Sequence, residues 1–303
     1  PKHILLTGAT GFVGQYLLRS LLAQPHLQVH CLVRGNSPKQ RIIAKMKGKA
    51  LWQESFNDRL HVYSSDLAQP SLGLSKHDAL ALAQTIDTVI HNATHMNHSA
   101  PYQFLKPTNV DATQALLELC TQQKLKQFHF ISTIDVLNNA CSADEATDIF
   151  ALAHDPSNGY VASKWVGEMM TLNARHFGVP TTIHRLGLVS SDKYGYFEPN
   201  QWLIKLLYSC QHMGAYIQDH SVDVALTYVD ETANTIAGLA TRNLAGGTYH
   251  LCTSKQFNMM DVFKHHTSQM TPLSLEQWLA QITQNDDTTN GITSLITDLL
   301  QMS

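Results

Sequence analysis

No stretch of this 303-residue sequence approaches the ~18–20 consecutive apolar residues that a membrane-crossing helix needs. None sets a charged start before a short apolar core, as a secretory leader does. An excess of one charge is missing too. Lys and Arg number 21 against 24 Asp and Glu, for a net charge of −3, so there is no basic field for a nucleic acid or an anionic membrane. The one basic cluster, Lys39, Arg41, Lys45, Lys47 and Lys49, reads as a solvated helix face. Cysteine is scarce. The five residues Cys31, Cys120, Cys141, Cys210 and Cys252 are odd in number and lack metal or disulfide spacing, so a reducing, cytoplasmic setting is expected. Internal repeats and low-complexity tracts are absent. What is present is a 44% hydrophobic share, enough to bury a large core, with or without a small lobe. The sequence opens at Pro1, two residues before its first strand-like run. A trimmed domain or a chain without its initiator Met would start so, and neighbouring domains are expected to be missing.

Strand and helix patterns alternate through the first two-thirds. Strands are expected at His3–Thr7, Gln28–Val33, Leu60–Ser64, Thr88–His91, Phe128–Ser132 and Thr181–Arg185, with a helix at Tyr102–Cys120. A longer one spans residues 157–177, with Ser157 as N-cap and Gly178-Val179-Pro180 closing it. This order implies an α/β fold of Rossmann type, a doubly wound parallel sheet. Beyond residue 190 the alternation breaks up. Gln201–His212 and Asp230–Ala240 look helical, Gly247–Leu251 looks like a strand, and three short helical patterns follow, with Gln284–Asn290 as a loop. We therefore expect a body at 1–190 and a smaller, mostly helical substrate lobe at 191–303, intertwined and closing over the ligand edge.

Residues 7–14 read Thr-Gly-Ala-Thr-Gly-Phe-Val-Gly, directly after an apolar strand pattern and opening a helix in which Val13, Tyr16, Leu17, Leu21 and Leu22 recur at helical spacing. Gly8 permits a tight turn, Gly11 a close approach by a pyrophosphate, and Gly14 close packing of helix on sheet. The helix N-terminus then faces the phosphates of a dinucleotide. At the end of the second strand, where an acidic residue would bind the ribose of NAD, stands Arg34. It suits the 2′-phosphate of NADP, and Arg41 could add a contact. Asp66-Leu67 and Asn92-Ala93 follow the third and fourth strands, at carboxyl ends where such sheets hold ligands.

Tyr160 and Lys164 stand four apart on one helix and so share a face. An adjacent ammonium favours the phenolate and should lower the tyrosine pKa, and Lys164 can also hold the nicotinamide ribose. Thr133, at the end of the fifth strand, offers a second hydroxyl to the substrate oxygen, which makes a small oxyanion site with Tyr160. Asn109 could anchor a water leading to Lys164. His95 and His98 flank Asn97 without carboxylate or cysteine partners at ligand spacing, so a wall or structural role is expected and no metal.

These residues give the chain a resemblance to the extended short-chain dehydrogenase/reductase superfamily. Within it, residues 3 to about 240 look like the thioester reductase branch, the terminal reductase domains of nonribosomal peptide and polyketide synthases and of carboxylic acid reductases. Leu72-Gly73-Leu74-Ser75, His91-Asn92-Ala93 with Asn97-His98, Ser132-Thr133-Ile134 and Ser163-Lys164-Trp165 with Gly167-Glu168 carry the likeness beyond the glycine loop. Two positions depart: Thr94 stands where Ala is usual and should narrow the space near the cofactor, and Ala112 stands where Gly is common. The resemblance implies Thr133, Tyr160 and Lys164 as the catalytic set. It implies NADPH as cofactor, held by Thr7, Gly8, Thr10, Gly11, Phe12, Val13, Gly14, Arg34, Arg41, Asp66, Leu67, Asn92, Ala93, Asn109, Lys164 and Leu186. The expected activity is reductive release of an acyl or peptidyl thioester as an aldehyde, or further as an alcohol. The expected partner is a carrier protein with a phosphopantetheine arm in the same polypeptide, the domain itself being monomeric. A nucleotide-sugar epimerase or dehydratase, a fatty acyl-CoA reductase and a non-catalytic NADP-binding regulator are the rival readings.

Overall fold

A computed structural model describes residues 1–97, 100–137, 143–152, 158–199, 201–219, 223–242, 246–266 and 270–284. The first half alternates as the sequence implies: β1 (His3–Thr7), α1 (Phe12–Leu22), β2 (Gln28–Val33), α2 (Pro38–Lys47), β3 (Leu60–Ser64), α3 (Lys76–Thr85) and β4 (Thr88–His91). The expected helix from Tyr102 to Cys120 is interrupted. It runs as α4 (Tyr102–Lys106), a π turn at Pro107–Asp111 and α5 (Ala112–Thr121), because Pro107 has no N–H to give the helix ladder and the chain widens by one residue to pass it. Then come β5 (Gln127–Thr133), α6 (Gly159–His176) and β6 (Thr181–Leu186). The cap of α6 is Asn158, whose Oδ1 accepts from Val161 N at 3.1 Å, in place of the expected Ser157, which lies outside the described residues. Gly178, at φ +89°, closes the helix as expected.

The second half holds β7 (Leu188–Val189), α7 (Trp202–Met213), β8 (Ala215–Ile217), β9 (Asp223–Val224), β10 (Leu226–Thr227), α8 (Val229–Thr241), β11 (Gly247–Leu251), β12 (Phe257–Asn258), α9 (Met259–His266), β13 (Thr271–Leu273) and α10 (Leu275–Gln284). Seven parallel strands make one sheet in the order β11-β6-β5-β4-β1-β2-β3. The order reverses between β1 and β4, where a doubly wound sheet opens its ligand crevice.

The main sheet draws strands from both sides of residue 190. The strand Gly247–Leu251 is the seventh strand of the main sheet. Helix α8 lays Val229, Ala233, Ile236, Ala237 and Ala240 into the core that α1 shares with β1 and β2. The opposite face of the sheet, with Phe128, is covered by Leu82 of α3 and by Leu116 and Leu119 of α5. A separate small core joins α7, α9 and α10 through Leu206, Cys210, Phe263, Trp278 and Ile282. It grows from the carboxyl ends of β6 and β11, the same edge at which the glycine loop leaves β1. The polar run after Gln284 is outside the described residues, as are Cys141 and the side chains of His265 and His266. The other four cysteines are free, and only Cys252 is exposed. No helix among the described residues is long and apolar enough to cross a membrane.

Candidate active site

The loop between β1 and α1 is built to leave room. Gly8 sits at φ +73°, and a Cβ there would meet Ala93 N at 2.7 Å. A Cβ on Gly14 would overlap the Gly8 carbonyl. On Gly11 a Cβ would touch only the Gly8 carbonyl, at 3.3 Å. Packing within the chain thus accounts for Gly8 and Gly14, while Gly11 faces a space that a phosphate can fill. Thr10, Phe12 and Val13 flank that space in sequence. Asn92 Nδ2 donates to the Gly8 carbonyl at 3.3 Å, and Ala93 N donates to Thr7 Oγ1 at 3.0 Å, which ties the ends of β1 and β4 into one floor. Buried hydroxyls of Thr94 and Ser132 find no partner among the described residues. A cradle open at Gly11 and two unpaired hydroxyls at the same sheet edge fit a bound dinucleotide.

A cavity of about 300 Å³ opens beside β2 and β3, lined by Arg34, Gly35, Ser64, Ser65, Asp66 and Gln69, with Gly73 behind them. Arg41 Nη1 donates to the Arg34 carbonyl at 3.2 Å, so Arg41 braces the loop that presents Arg34. The sequence string Leu72-Gly73-Leu74-Ser75 has a local cause. Leu72 is buried. Gly73, at φ +65°, lets Asp66 approach where a Cβ would lie 2.8 Å from its N. Ser75 caps α3 by accepting from Asp78 N at 3.0 Å. Leu67 packs against the core on this side.

One member of the basic cluster is not a solvated helix residue. Lys49 folds over the rings of Phe12 and Tyr196, 5.0 and 4.8 Å from their centroids, and pairs with Glu198 at 3.4 Å. Tyr16 donates to Asp192 at 2.8 Å. Both contacts pin the 192–198 segment against α1.

Tyr160 and Lys164 lie on the first turns of α6, both buried. Lys164 Nζ donates to the Ile131 carbonyl at 2.7 Å and stands 4.9 Å above the Phe130 ring. Gly167 makes this possible, since a Cβ there would run into the same ring. Burial lowers the Lys164 pKa to about 8, opposed by the charge of Glu168. The expectation of an acidified tyrosine fails. Burial pushes the Tyr160 phenol above its ordinary value and the Asp135 carboxylate pushes it further, so Tyr160 is held as a neutral phenol able to donate a proton. Thr133 donates to Asp135 Oδ2 at 2.8 Å, and its hydroxyl must turn from that carboxylate to serve a substrate oxygen. Leu186, the partner of Thr133 across the β5–β6 pair, is buried at the end of β6.

The Asn109 side chain is spent on protein. It donates to Ser163 Oγ at 2.9 Å and to the His95 carbonyl at 3.2 Å, and it accepts from His95 N at 2.7 Å. It therefore braces the loop after β4, where the His95 ring lies 5.2 Å from that of Phe104. His98 lies outside the described residues. Among the described residues no cluster of three His, Cys, Asp or Glu could hold a metal ion. Asp135 gave no sequence signal as a partner of Thr133. Ser163 did lie within the Ser163-Lys164-Trp165 string, but its partner Asn109 is 54 residues away.

With this geometry in view, likeness to known proteins becomes specific. The NAD-binding family described as Male sterility protein matches residues 6–236. A linear gramicidin synthase polypeptide of Brevibacillus parabrevis is 30% identical over 297 residues, 93% of this chain and 6% of that protein. The L-2-aminoadipate reductase large subunit of Penicillium chrysogenum is 32% identical over 231 residues, 70% of this chain and 16% of that protein. The chain thus spans a small part of either relative. The crystal structure of the terminal R domain from the myxalamid PKS-NRPS pathway superposes with a TM-score of 0.86 at 30% identity, covering 97% of this chain and 78% of that one. The cradle, the Tyr160–Lys164 helix and these likenesses lead to one family: the chain belongs to the Male sterility protein group of NAD(P)-binding extended short-chain dehydrogenases/reductases, among the terminal reductase domains of peptide and polyketide synthases.

Proposed function

We propose that this domain uses NADPH to reduce an acyl or peptidyl thioester, presented on the phosphopantetheine arm of a carrier protein, to an aldehyde. One observation carries the reading. Thr133, Tyr160 and Lys164 stand at the carboxyl edge that also bears the glycine cradle, in a chain whose likeness to a terminal R domain runs through 97% of its length. When bound in the cradle, a reduced nicotinamide supplies hydride to the carbonyl carbon. Tyr160 donates its phenolic proton to the oxygen on which charge develops. Thr133 leaves Asp135 to donate to the same oxygen. Lys164, held over Phe130, gives positive charge on the ribose side. The hemithioacetal then collapses to aldehyde and free thiol, and a second round would give an alcohol.

Arg34, on the wall of the 300 Å³ cavity, supports NADPH over NADH. Arg34→Ala should weaken NADPH binding roughly 10- to 150-fold, the worth of hydrogen bonds to a charged group, and leave NADH unchanged. Equal affinity of the unaltered domain for both cofactors refutes the assignment.

The free acid bears a carboxylate, a far poorer hydride acceptor than a thioester carbonyl. A tethered carrier raises the effective thioester concentration toward the millimolar range for a short linker, so docking itself can be weak. The test follows NADPH oxidation with one acyl group given on a carrier protein, on a short pantetheine mimic, on coenzyme A and as free acid. Carrier first, the mimic and coenzyme A slower, and acid silent are the expected results. Comparable rates from all four would refute carrier dependence. Turnover of a sugar nucleotide without net NADPH oxidation would move the domain to the epimerases.

A further inference from the structure

Beneath the dinucleotide floor runs a buried chain of polar groups whose protons can be assigned. The Thr113 hydroxyl donates to the Asn109 carbonyl at 2.7 Å and lies 3.1 Å from His91 Nε2. A hydroxyl has one proton, and Thr113 has spent it, so Nε2 must be the donor. In a neutral ring Nδ1 is then bare and needs a proton from its partner. That partner is Thr7 Oγ1, 2.8 Å away, which already accepts from Ala93 N and is free to donate. An imidazolium would instead present a second N–H to Thr7 and leave the Thr7 proton without its acceptor. Burial, with the Lys164 charge adding, pushes the His91 pKa down to about 3, so the ring stays neutral. From Asn109 the chain continues to Ser163 Oγ at 2.9 Å, and Ser163 donates to the Tyr160 carbonyl at 2.7 Å. Thr7, His91, Thr113, Asn109 and Ser163 are all buried.

We propose that His91 is a positioning residue for the reductase reaction. As the Nε2–H tautomer it joins Thr7, at the start of the glycine loop, to the Asn109–Ser163 platform under the first turn of α6. The dinucleotide floor and the Tyr160 phenol thereby keep one register. The chain ends on the Tyr160 backbone carbonyl and not on its phenol, so it transmits position and no proton. This rests on the reductase reading above, and its test separates the two.

His91→Gln can keep a donor near the Nε2 site and loses the acceptor for Thr7. His91→Asn can keep an acceptor near the Nδ1 site and loses the donor to Thr113. With NADPH followed by fluorescence titration, Gln should raise Kd about tenfold, the worth of one lost hydrogen bond, while kcat at saturating NADPH holds. Asn should leave Kd in place and lower kcat by about the same factor. Both constants unchanged in both variants, or both shifted equally in each, overturns the proposal. In the unaltered protein without cofactor, long-range ¹⁵N–¹H correlations should show His91 protonated at Nε2 alone. The ring signals are assigned by their loss in the Gln variant, or in the Asn variant if Gln does not fold. A proton on Nδ1 overturns the proposal whatever the variants do. A domain that binds NADPH, shows the Nε2–H tautomer and oxidises NADPH with no acyl thioester refutes the reductase reading and leaves the linkage of His91 to the loop standing.

Discussion

Tyr160→Phe is expected to lower turnover by about 10²–10⁴-fold, the usual contribution of a positioned general acid, with NADPH affinity unchanged. The ring is 5% exposed and packs against Ala100 and Leu105, contacts that Phe retains. What is lost is the one hydroxyl that burial and Asp135 hold protonated. Lys164→Ala should behave differently, damaging both turnover and cofactor binding, because it removes the charge proposed to hold the ribose and empties the space above Phe130. Steady-state rates at saturating NADPH, set beside a direct titration of NADPH, distinguish the two. If Tyr160→Phe keeps most of the wild-type rate, the proton comes from another residue and the mechanism above is wrong.

Arg185→Leu should cost about 3–5 kcal/mol of stability, the penalty for stranding a buried charge. Glu168 is 0% exposed and Arg185 1%, and they meet through Arg185 Nε at 3.1 Å to both carboxylate oxygens and through Nη2 at 2.9 Å. His250 Nε2 accepts from Arg185 Nη1 at 3.2 Å. Removing both charges, with Glu168→Gln on the Arg185→Leu background, should recover much of the loss. Urea unfolding at constant m-value measures each variant, and a single mutant within about 1 kcal/mol of wild type, the range of an exposed pair, would show that the pair is not buried in solution. Glu168→Gln also removes the charge that opposes burial at Lys164. The lysine would then lose its proton below pH 8, so activity that needs the ammonium should fall at lower pH than in wild type.

Much of the first sheet was legible because its signals are local. Gly8 needs a positive φ, the glycine loop follows an apolar run, and the strand patterns at Gln28–Val33 and Leu60–Ser64 are short and bounded. That Tyr160 and Lys164 share one helix was legible from their spacing. The acidity of Tyr160 was not. Spacing shows that an ammonium is near, but burial sets the sign, and Lys164 turns to the Ile131 carbonyl. Nor did the sequence show that Thr133 gives its proton to Asp135, two residues on, since that depends on how the chain turns after β5. The interruption at Pro107 was visible as a proline but was read through as helix. The place of Gly247–Leu251 was hidden for another reason. Every residue of that strand is only partly buried, so it lacks the apolar run of an interior strand.

The position of β11 has a practical meaning for anyone cutting this chain. It lies outermost, beside β6, and α8 on its way there shields the apolar side of α1. A fragment ending near residue 190 would leave the backbone amides and carbonyls along Thr182–Leu186 bare. Such a border is a template for another molecule of the same fragment, and the uncovered face of α1 would add adhesion. Truncation there should therefore yield oligomers or aggregates, whereas a cut beyond residue 251 retains the seal on that flank.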